Sequence, residues 1–241
     1  IDVRAESSDK TFDSFFDSIG AFAQVVNDET PYAMMVDNSD EEGPCLKSDS
    51  AGVGYSESGV TLRVKQPMKL SFDFKISSEP RYDYMKVQLN SKDLTGGSSK
   101  SAYSGEKGWT KYDCAADSGD TLRICYSKDS SGNSGSDALW LKGFEAQQLP
   151  FVTFHSNDGK EESVLQGITS DTLNLKSNSF TREGYRFLGW AETADGGVVY
   201  DDQAKLDLTE QADFDLYAVW AKLYNLSFTV TPADAVFSLY D

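Results

Sequence analysis

The segment KLSFDFKIS (residues 69–77) alternates apolar and polar side chains, so its four apolar residues share one face of a strand. The same period of two recurs at 85–89 and at 122–126. Gly-, Ser-, Asn- and Asp-rich segments, such as 95–108 and 127–137, separate these stretches and have the composition of turns. The pattern predicts a mainly all-β chain.

The alternation divides the chain into units. Residues 1–148 are predicted to form a β-sandwich of about seven to nine strands, in which 12–26 is either a short helix or an edge strand with a bulge. The linker AQQLP (146–150) leads into a smaller β unit at 149–222, where SDTLNLKSN contributes a turn of helix. Residues 223–241 are interpreted as the start of a further β module or a C-terminal extension.

Composition excludes several functions. The 241 residues carry 22 Lys+Arg against 39 Asp+Glu, a formal charge of −17, which argues against a nucleic-acid partner. There is no apolar run of about 18 residues, so membrane insertion is not expected. The chain opens on IDVRAESSDK and ends within an alternating pattern, so we expect a piece of a longer protein whose attachment regions lie elsewhere.

The three cysteines allow two predictions. Cys114 and Cys125 flank the turn ADSGD, and if they face each other across a hairpin they form a disulfide. The alternative is three free thiols; Cys45 has no partner in either case. With one histidine, His155, and no CxxC pair, a zinc site is close to excluded, and no metal site is predicted.

The second unit carries specific motifs: FTREGYRFLGW (180–190), DGGVVYDD (195–202) and DLYAVW (215–220). Together they resemble the Listeria–Bacteroides repeat, the B-repeat of internalin-like bacterial surface proteins, over residues 151–222. The resemblance implies a small β-grasp-like module that acts as a spacer or interaction surface. The matching positions, interpreted as core filling and tight turns, are Phe180, Gly184, Tyr185, Phe187, Gly189, Trp190, Tyr217 and Trp220.

The first unit is similar, less specifically, to MAM/concanavalin-like jelly-roll domains of secreted bacterial proteins. The segments that carry this similarity are 69–87, 103–112 and 118–145. It implies a jelly-roll β-sandwich. The acidic residues usual after the Trp140 strand are replaced by Lys142 and Gly143, which weakens any metal site borrowed from the family.

Several aromatic side chains in this unit could bind a ligand. An exposed ring beside a carboxylate suits a carbohydrate, because the ring stacks on the sugar and the carboxylate accepts hydroxyl hydrogen bonds. Core or edge packing is the preferred interpretation for each residue, and ligand binding is the alternative. The candidate residues are Tyr82, Asp83, Tyr84, Trp109 and Trp140, with one of the two tyrosines exposed and Asp83 pointing the other way.

One loop offers oxygen ligands, at Asp129, Asn133 and Asp137. Their spacing is not that of an EF-hand, so turn formation is the preferred interpretation. We predict no cofactor, although a structural calcium elsewhere in the sandwich stays possible. The sequence also lacks a nucleophile elbow, a P-loop and a dinucleotide fingerprint.

The two resemblances imply a non-catalytic segment of a secreted or wall-attached bacterial surface protein, which we expect to be monomeric. Its partner would be a glycan or a host or cell-surface protein, recognised by the sandwich while the repeat serves as a spacer. Two alternatives stay open, an accessory region of a larger extracellular hydrolase and a purely structural stalk. A hydrolase within the chain itself is the least favoured hypothesis.

Overall fold

A computed structural model describes residues 10–29, 31–96 and 101–224. Almost all of its regular structure is β, as predicted. Most of the predicted unit 223–241 falls outside the described residues. Within those residues there is no helix long and apolar enough to cross a membrane.

Ten strands precede residue 149. They are β1 (Ala23–Asn27), β2 (Met35–Asp37), β3 (Cys45–Lys47), β4 (Glu57–Val64), β5 (Met68–Ser77), β6 (Tyr84–Leu89), β7 (Lys92–Asp93), β8 (Glu106–Ala116), β9 (Thr121–Ser127) and β10 (Ala138–Gln148). One sheet has the order β1-β4-β9-β6-β7 and the other β2-β3-β10-β5-β8, both antiparallel. The count exceeds the prediction because strands as short as β7 have too few residues to show alternation.

The inner faces of the two sheets share one core. The four apolar side chains of 69–77 are all at most 1% exposed, which confirms the strand predicted from their alternation. Phe144 from β10 bridges the core, with its ring centroid 5.4 Å from that of Phe72 and 4.7 Å from that of Phe16. Phe16 belongs to the segment 12–26, which forms two 3₁₀ turns, Asp13–Phe15 and Asp17–Ile19, followed by edge strand β1.

The predicted hairpin between Cys114 and Cys125 is wrong. The turn at 117–120 carries the chain from β8 in one sheet to β9 in the other, so the two cysteines lie in different sheets. All three cysteines are free thiols. Burial raises the pKa of Cys45 to about 11 and those of Cys114 and Cys125 to about 12.

The remaining strands form the second unit. They are β11 (Phe151–His155), β12 (Ser163–Gly167), β13 (Thr172–Asn174), β14 (Tyr185–Ala191), β15 (Lys205–Asp207) and β16 (Phe214–Lys222). A mixed sheet has the order β12-β11-β16-β14, with β11 parallel to β16, and β13 pairs with β15. The expected helical turn at 170–178 is wrong, because 172–174 forms β13 and pairs with β15. Likewise the predicted linker shortens to two residues, since β10 extends to Gln148.

Trp190 organises the core of this second unit. Its ring is 1% exposed and packs edge-on against Phe154 and Phe187, at centroid distances of 4.8 and 4.9 Å. Phe180 and Trp220 pack against the same cluster. Two large rings, Phe154 and Trp190, are thus buried in a core whose other buried members are aliphatic.

Gly59 offers a test of sheet packing. A Cβ at this position of β4 would lie 2.2 Å from the Ile124 carbonyl oxygen and 2.4 Å from the Cys125 Cβ. We expect Gly59→Ala to lower the free energy of unfolding by about 3 kcal/mol, because the backbone of β9 has to move. Chemical denaturation measures this loss.

Gly108→Ala is the matched control, because a Cβ at Gly108 in β8 would have nothing within 4 Å. We expect its effect to stay within about 0.5 kcal/mol. Equal stabilities of the two variants would contradict the packing described for β4 and β9.

Candidate functional site

A buried ammonium group lies at one end of the sandwich. Lys128 follows β9 and continues its inward-facing series after Tyr126. Its Nζ donates to Asp137 Oδ1 at 2.6 Å, to Asp83 Oδ2 at 2.9 Å and to the Gly132 carbonyl at 3.2 Å. The side chain of Lys128 is 1% exposed and that of Asp83 is fully buried. The ammonium group is thus paired on several sides, as a buried charge requires.

Asp137 collects further donors. The Tyr126 hydroxyl donates to Asp137 Oδ1 at 2.7 Å, and the Gly52 backbone N–H donates to Oδ2 at 2.5 Å. Burial alone would raise the pKa of Asp137, but the hydrogen bonds from Lys128, Gly52 and Tyr126 outweigh it and lower that pKa. Burial opposes the charged form of Lys128 too, and its bonds to the two aspartates raise its pKa.

This network ties three loops together. Asp83 Oδ1 accepts a hydrogen bond from the Asp129 N–H at 2.9 Å, and the Asp129 carbonyl accepts one from the Tyr55 N–H at 2.7 Å. The segments around 52–55, 79–84 and 128–137 are therefore linked through buried or backbone contacts. We call this end of the sandwich the loop end.

Two tyrosine rings project from the loop end. Tyr82 is 58% exposed, whereas Asp83 and Tyr84 are buried. One of the two tyrosines is thus exposed, but strict alternation does not hold, because Tyr84 is buried together with Asp83. Tyr55 is 84% exposed. The backbone is strained at one of these tyrosines and directly before the other. Tyr55 has φ +56°, and Arg81, which precedes Tyr82, has φ +73°. Such conformations cost free energy and persist where surrounding contacts impose them, often at functional sites.

The two tryptophans lie elsewhere, on the outer face of the sheet that contains β10. Lysine side chains cover their rings: the Lys142 Nζ is 3.9 Å from the Trp109 centroid, and the Lys75 Nζ is 5.1 Å from Trp109 and 4.8 Å from Trp140. The Trp140 Nε1 donates to Asp37 Oδ2 at 3.1 Å. These contacts fit edge packing of Trp109 and Trp140, the interpretation preferred from the sequence, and a role of the two rings in ligand binding stays a prediction.

The oxygen-bearing side chains of the loop 129–137 form hydrogen bonds within the chain. Asp137 bonds to Lys128, and the Asp129 side chain accepts the Ser131 N–H at 2.9 Å. The Asn133 amide, oriented to donate, reaches the Gly132 carbonyl at 2.9 Å and Asp137 Oδ2 at 3.1 Å. Within the described residues there is no group of three or more His, Cys, Asp or Glu that could hold a metal ion.

The motif residues of the second unit divide into core and surface. Gly184 has φ +76° at a turn, and a Cβ at Gly189 would lie 2.6 Å from the Val198 side chain. Tyr185 and Tyr217 differ from the core interpretation: the Arg182 guanidinium covers the Tyr185 ring at 3.9 Å, and Tyr217 stacks on His155 at 4.6 Å. These two rings thus pack on the surface of the sheet.

Sequence reasoning missed Tyr55 and Lys128. The signal for Lys128 was present, because it falls two positions after Tyr126 on the inward face of β9. A lysine at an inward position requires buried carboxylates. Tyr55 lies in AGVGYSESG, whose glycines predict a turn but not the direction of its tyrosine.

Comparison with known families identifies the class of the second unit. Residues 151–219 match the family model of the Listeria-Bacteroides repeat domain. This repeat occurs in extracellular surface proteins of bacteria. The match confirms the resemblance read from the motifs at 180–190 and 215–220. The jelly-roll family resemblance of residues 1–148 stays a prediction.

Solved structures give partial likenesses. The secreted serine protease VesC from Vibrio cholerae is 19% identical, with a TM-score of 0.39, covering 56% of this chain and 26% of the protease. The cleaved adhesin domain of Lys-gingipain from Porphyromonas gingivalis is 14% identical, with a TM-score of 0.33, covering 56% of this chain and 95% of that domain. An arabinose-bound α-L-arabinofuranosidase is 12% identical, with a TM-score of 0.33, covering 51% of this chain and 22% of the arabinofuranosidase.

The similar part therefore spans well under two thirds of the protease and of the arabinofuranosidase. Scores this low do not define a shared fold. A search of curated protein sequences gives no match.

Removing the buried ammonium tests the network. We expect Lys128→Met to lower the free energy of unfolding by about 3–5 kcal/mol, because Asp83 and Asp137 keep their charges without a cationic partner. Lys111→Met, at an exposed position of β8, is the control and should change stability by less than about 0.5 kcal/mol. A Lys128→Met loss below about 1 kcal/mol would show that the pairs contribute little.

The lowered pKa of Asp137 gives a pH dependence. A carboxylate with a lowered folded-state pKa stabilises above its unfolded value of about 3.9, and this contribution disappears as the pH falls through the folded value. We expect Asp137→Asn to be less stable than the parent at pH 7, with the difference shrinking below about pH 4. Denaturation at pH 7, 5 and 3 measures it; a constant difference would contradict the charged role of Asp137.

Proposed function

We propose that this chain is a non-catalytic recognition segment of a bacterial surface protein, in which the loop end binds a glycan or a protein. The observation that supports the proposal is the pair of exposed rings, Tyr55 and Tyr82, held by the buried network of Lys128. Tyrosine supplies a large contact area with little conformational freedom to lose, which suits a binding surface. The repeat at 151–219 then separates the loop end from neighbouring parts of the protein.

The arrangement favours a neutral glycan or a protein over a strongly anionic ligand. The formal charge of the chain is −17, and the Lys128 ammonium group is already paired with Asp83 and Asp137. Recognition would rely on ring stacking and on hydrogen bonds to nearby loop backbone.

Two other functions compete with this proposal. In a stalk, neither unit binds anything and the tyrosines have no partner. In an accessory region, the same loop end binds the substrate of a hydrolase domain located elsewhere in the protein. Binding data on this chain separate the stalk from the other two, and the full-length gene separates the accessory region from the adhesin.

The tyrosines provide the direct test. A glycan array and a bacterial or host surface-protein panel, probed with the labelled chain, should yield ligands whose binding Tyr55→Ala and Tyr82→Ala each weaken at least about tenfold, in the range of interface anchor residues. Tyr224→Ala is the control, because Tyr224 is 76% exposed but lies after β16. Binding that survives both loop-end substitutions, or no binding at all, would support another surface or the stalk.

A further inference from the structure

The junction between the sandwich and the second unit contains only two residues outside strands, Leu149 and Pro150, and each is bound on one side. The Leu149 N–H donates to the Pro67 carbonyl of the sandwich at 3.2 Å. The Pro150 carbonyl accepts the Ile168 N–H of the second unit at 2.7 Å, and the ring of Pro150 fixes its own φ. The connection is thus tied to both units instead of being a free tether.

A carboxylate bridges the two units directly. Asp117, in the turn between β8 and β9, accepts the Gly167 N–H at 2.5 Å through Oδ1 and pairs with the Lys176 Nζ at 3.0 Å through Oδ2. Both partners belong to the second unit. Charge-assisted hydrogen bonds of this kind are stronger and more directional than neutral ones.

The turn that carries Asp117 is itself held in place. Asp120 Oδ2 accepts the Asp117 N–H at 2.8 Å, and Asp120 Oδ1 accepts the Asn90 side chain at 2.7 Å. Ser118 Oγ donates to the Lys65 carbonyl at 2.9 Å. The Asp117 carboxylate therefore meets the second unit from a fixed position on the sandwich.

The part of the second unit that contacts Asp117 is also held by hydrogen bonds. Gln166 Oε1 accepts the Lys176 N–H at 2.9 Å, and Gln166 Nε2 donates to the Asn174 carbonyl at 2.8 Å. These bonds fix the backbone of Lys176 to strand β12, next to Gly167. The backbone from which the Lys176 side chain reaches Asp117 is thus tied to the neighbour of Gly167.

Gly167 is required by this close approach. It has an ordinary φ, but a Cβ there would lie 2.8 Å from Asp117 Oδ1, 3.1 Å from the Pro67 Cβ and 3.3 Å from the Leu149 Cδ1. All three atoms belong to the sandwich or the connection. A side chain at position 167 would therefore press first on the sandwich and the connection and push the two units apart.

We propose that the sandwich and the second unit form one rigid body, whose relative orientation is set by the Asp117 contacts and by the absence of a side chain at Gly167. Units joined in one chain move relative to each other by default unless their interface restrains them. Here the restraint comes from a few fixed polar contacts and a tied connection. The inference goes beyond recognition by the loop end and does not depend on any ligand.

Spin labels on the full chain test the proposal. Lys111→Cys in β8 and Arg186→Cys in β14 place one label on an exposed strand position of each unit. The native thiols are buried or half-buried, and their pKa values of about 11 (Cys45) and about 12 (Cys114 and Cys125) keep them protonated at neutral pH. Labelling of the unmodified chain measures any residual reaction.

We expect pulsed dipolar spectroscopy to give a single narrow distance peak for the parent. Asp117→Ala and Gly167→Val should each lose that peak in favour of a broad or shifted distribution, while circular dichroism shows that both units stay folded. Asp113→Ala removes a carboxylate that pairs with Lys69 inside the sandwich at 4.0 Å, and Gly197→Val adds a side chain where nothing lies within 4 Å. Both of these controls should keep the parent's peak.

Two results would overturn the proposal. A broad distribution in the parent would show that the units move freely, whatever the variants do. If Asp117→Ala keeps the parent's narrow peak, the Asp117 contacts do not set the orientation; if Gly167→Val keeps it, the absence of a side chain at position 167 does not. Neither outcome touches the proposed binding at Tyr55 and Tyr82, which is measured separately.

Discussion

The order of the sandwich's loop end depends on one buried ammonium group. Lys128 Nζ lies among two aspartate carboxylates and a carbonyl, and the aspartates in turn hold the backbone of neighbouring loops. Replacing water around a buried charge is costly, so such a group persists only when its partners are fixed. The fixed partners hold the loops in which Tyr55 and Arg81, directly before Tyr82, have positive φ. The positions of these two exposed tyrosines therefore depend on the charge pairing of Lys128 in the interior.

The sequence predicted the strands and the class of the second unit, because both are written in local patterns. Alternation of Leu70 with polar neighbours specifies a strand, and the aromatic and glycine spacing around Trp190 specifies the repeat. The local sequence does not show which of the two sheets a strand joins. Cys114 and Cys125 are separated by a short turn in the chain, yet they belong to opposite sheets, since β8 pairs with β5 and β9 with β4 and β6.

The candidate site was predictable only in part for the same reason. The sequence predicted that one of Tyr82 and Tyr84 is exposed without saying which, and Tyr82 is that residue. It could not show that Asp83 meets Lys128, 45 positions away, or that lysines cover Trp109 and Trp140. Ring type and spacing suggest what a residue can do, but neighbours from distant strands decide which rings are available.

The absence of cross-links has a consequence for how the chain matures. Cys45, Cys114 and Cys125 are all thiols with raised pKa values, so covalent closure contributes nothing to the native structure. No oxidant or disulfide isomerase is needed to complete folding, and misoxidation is slowed because thiolate is scarce. The same native state is thus accessible in reducing and in oxidising surroundings.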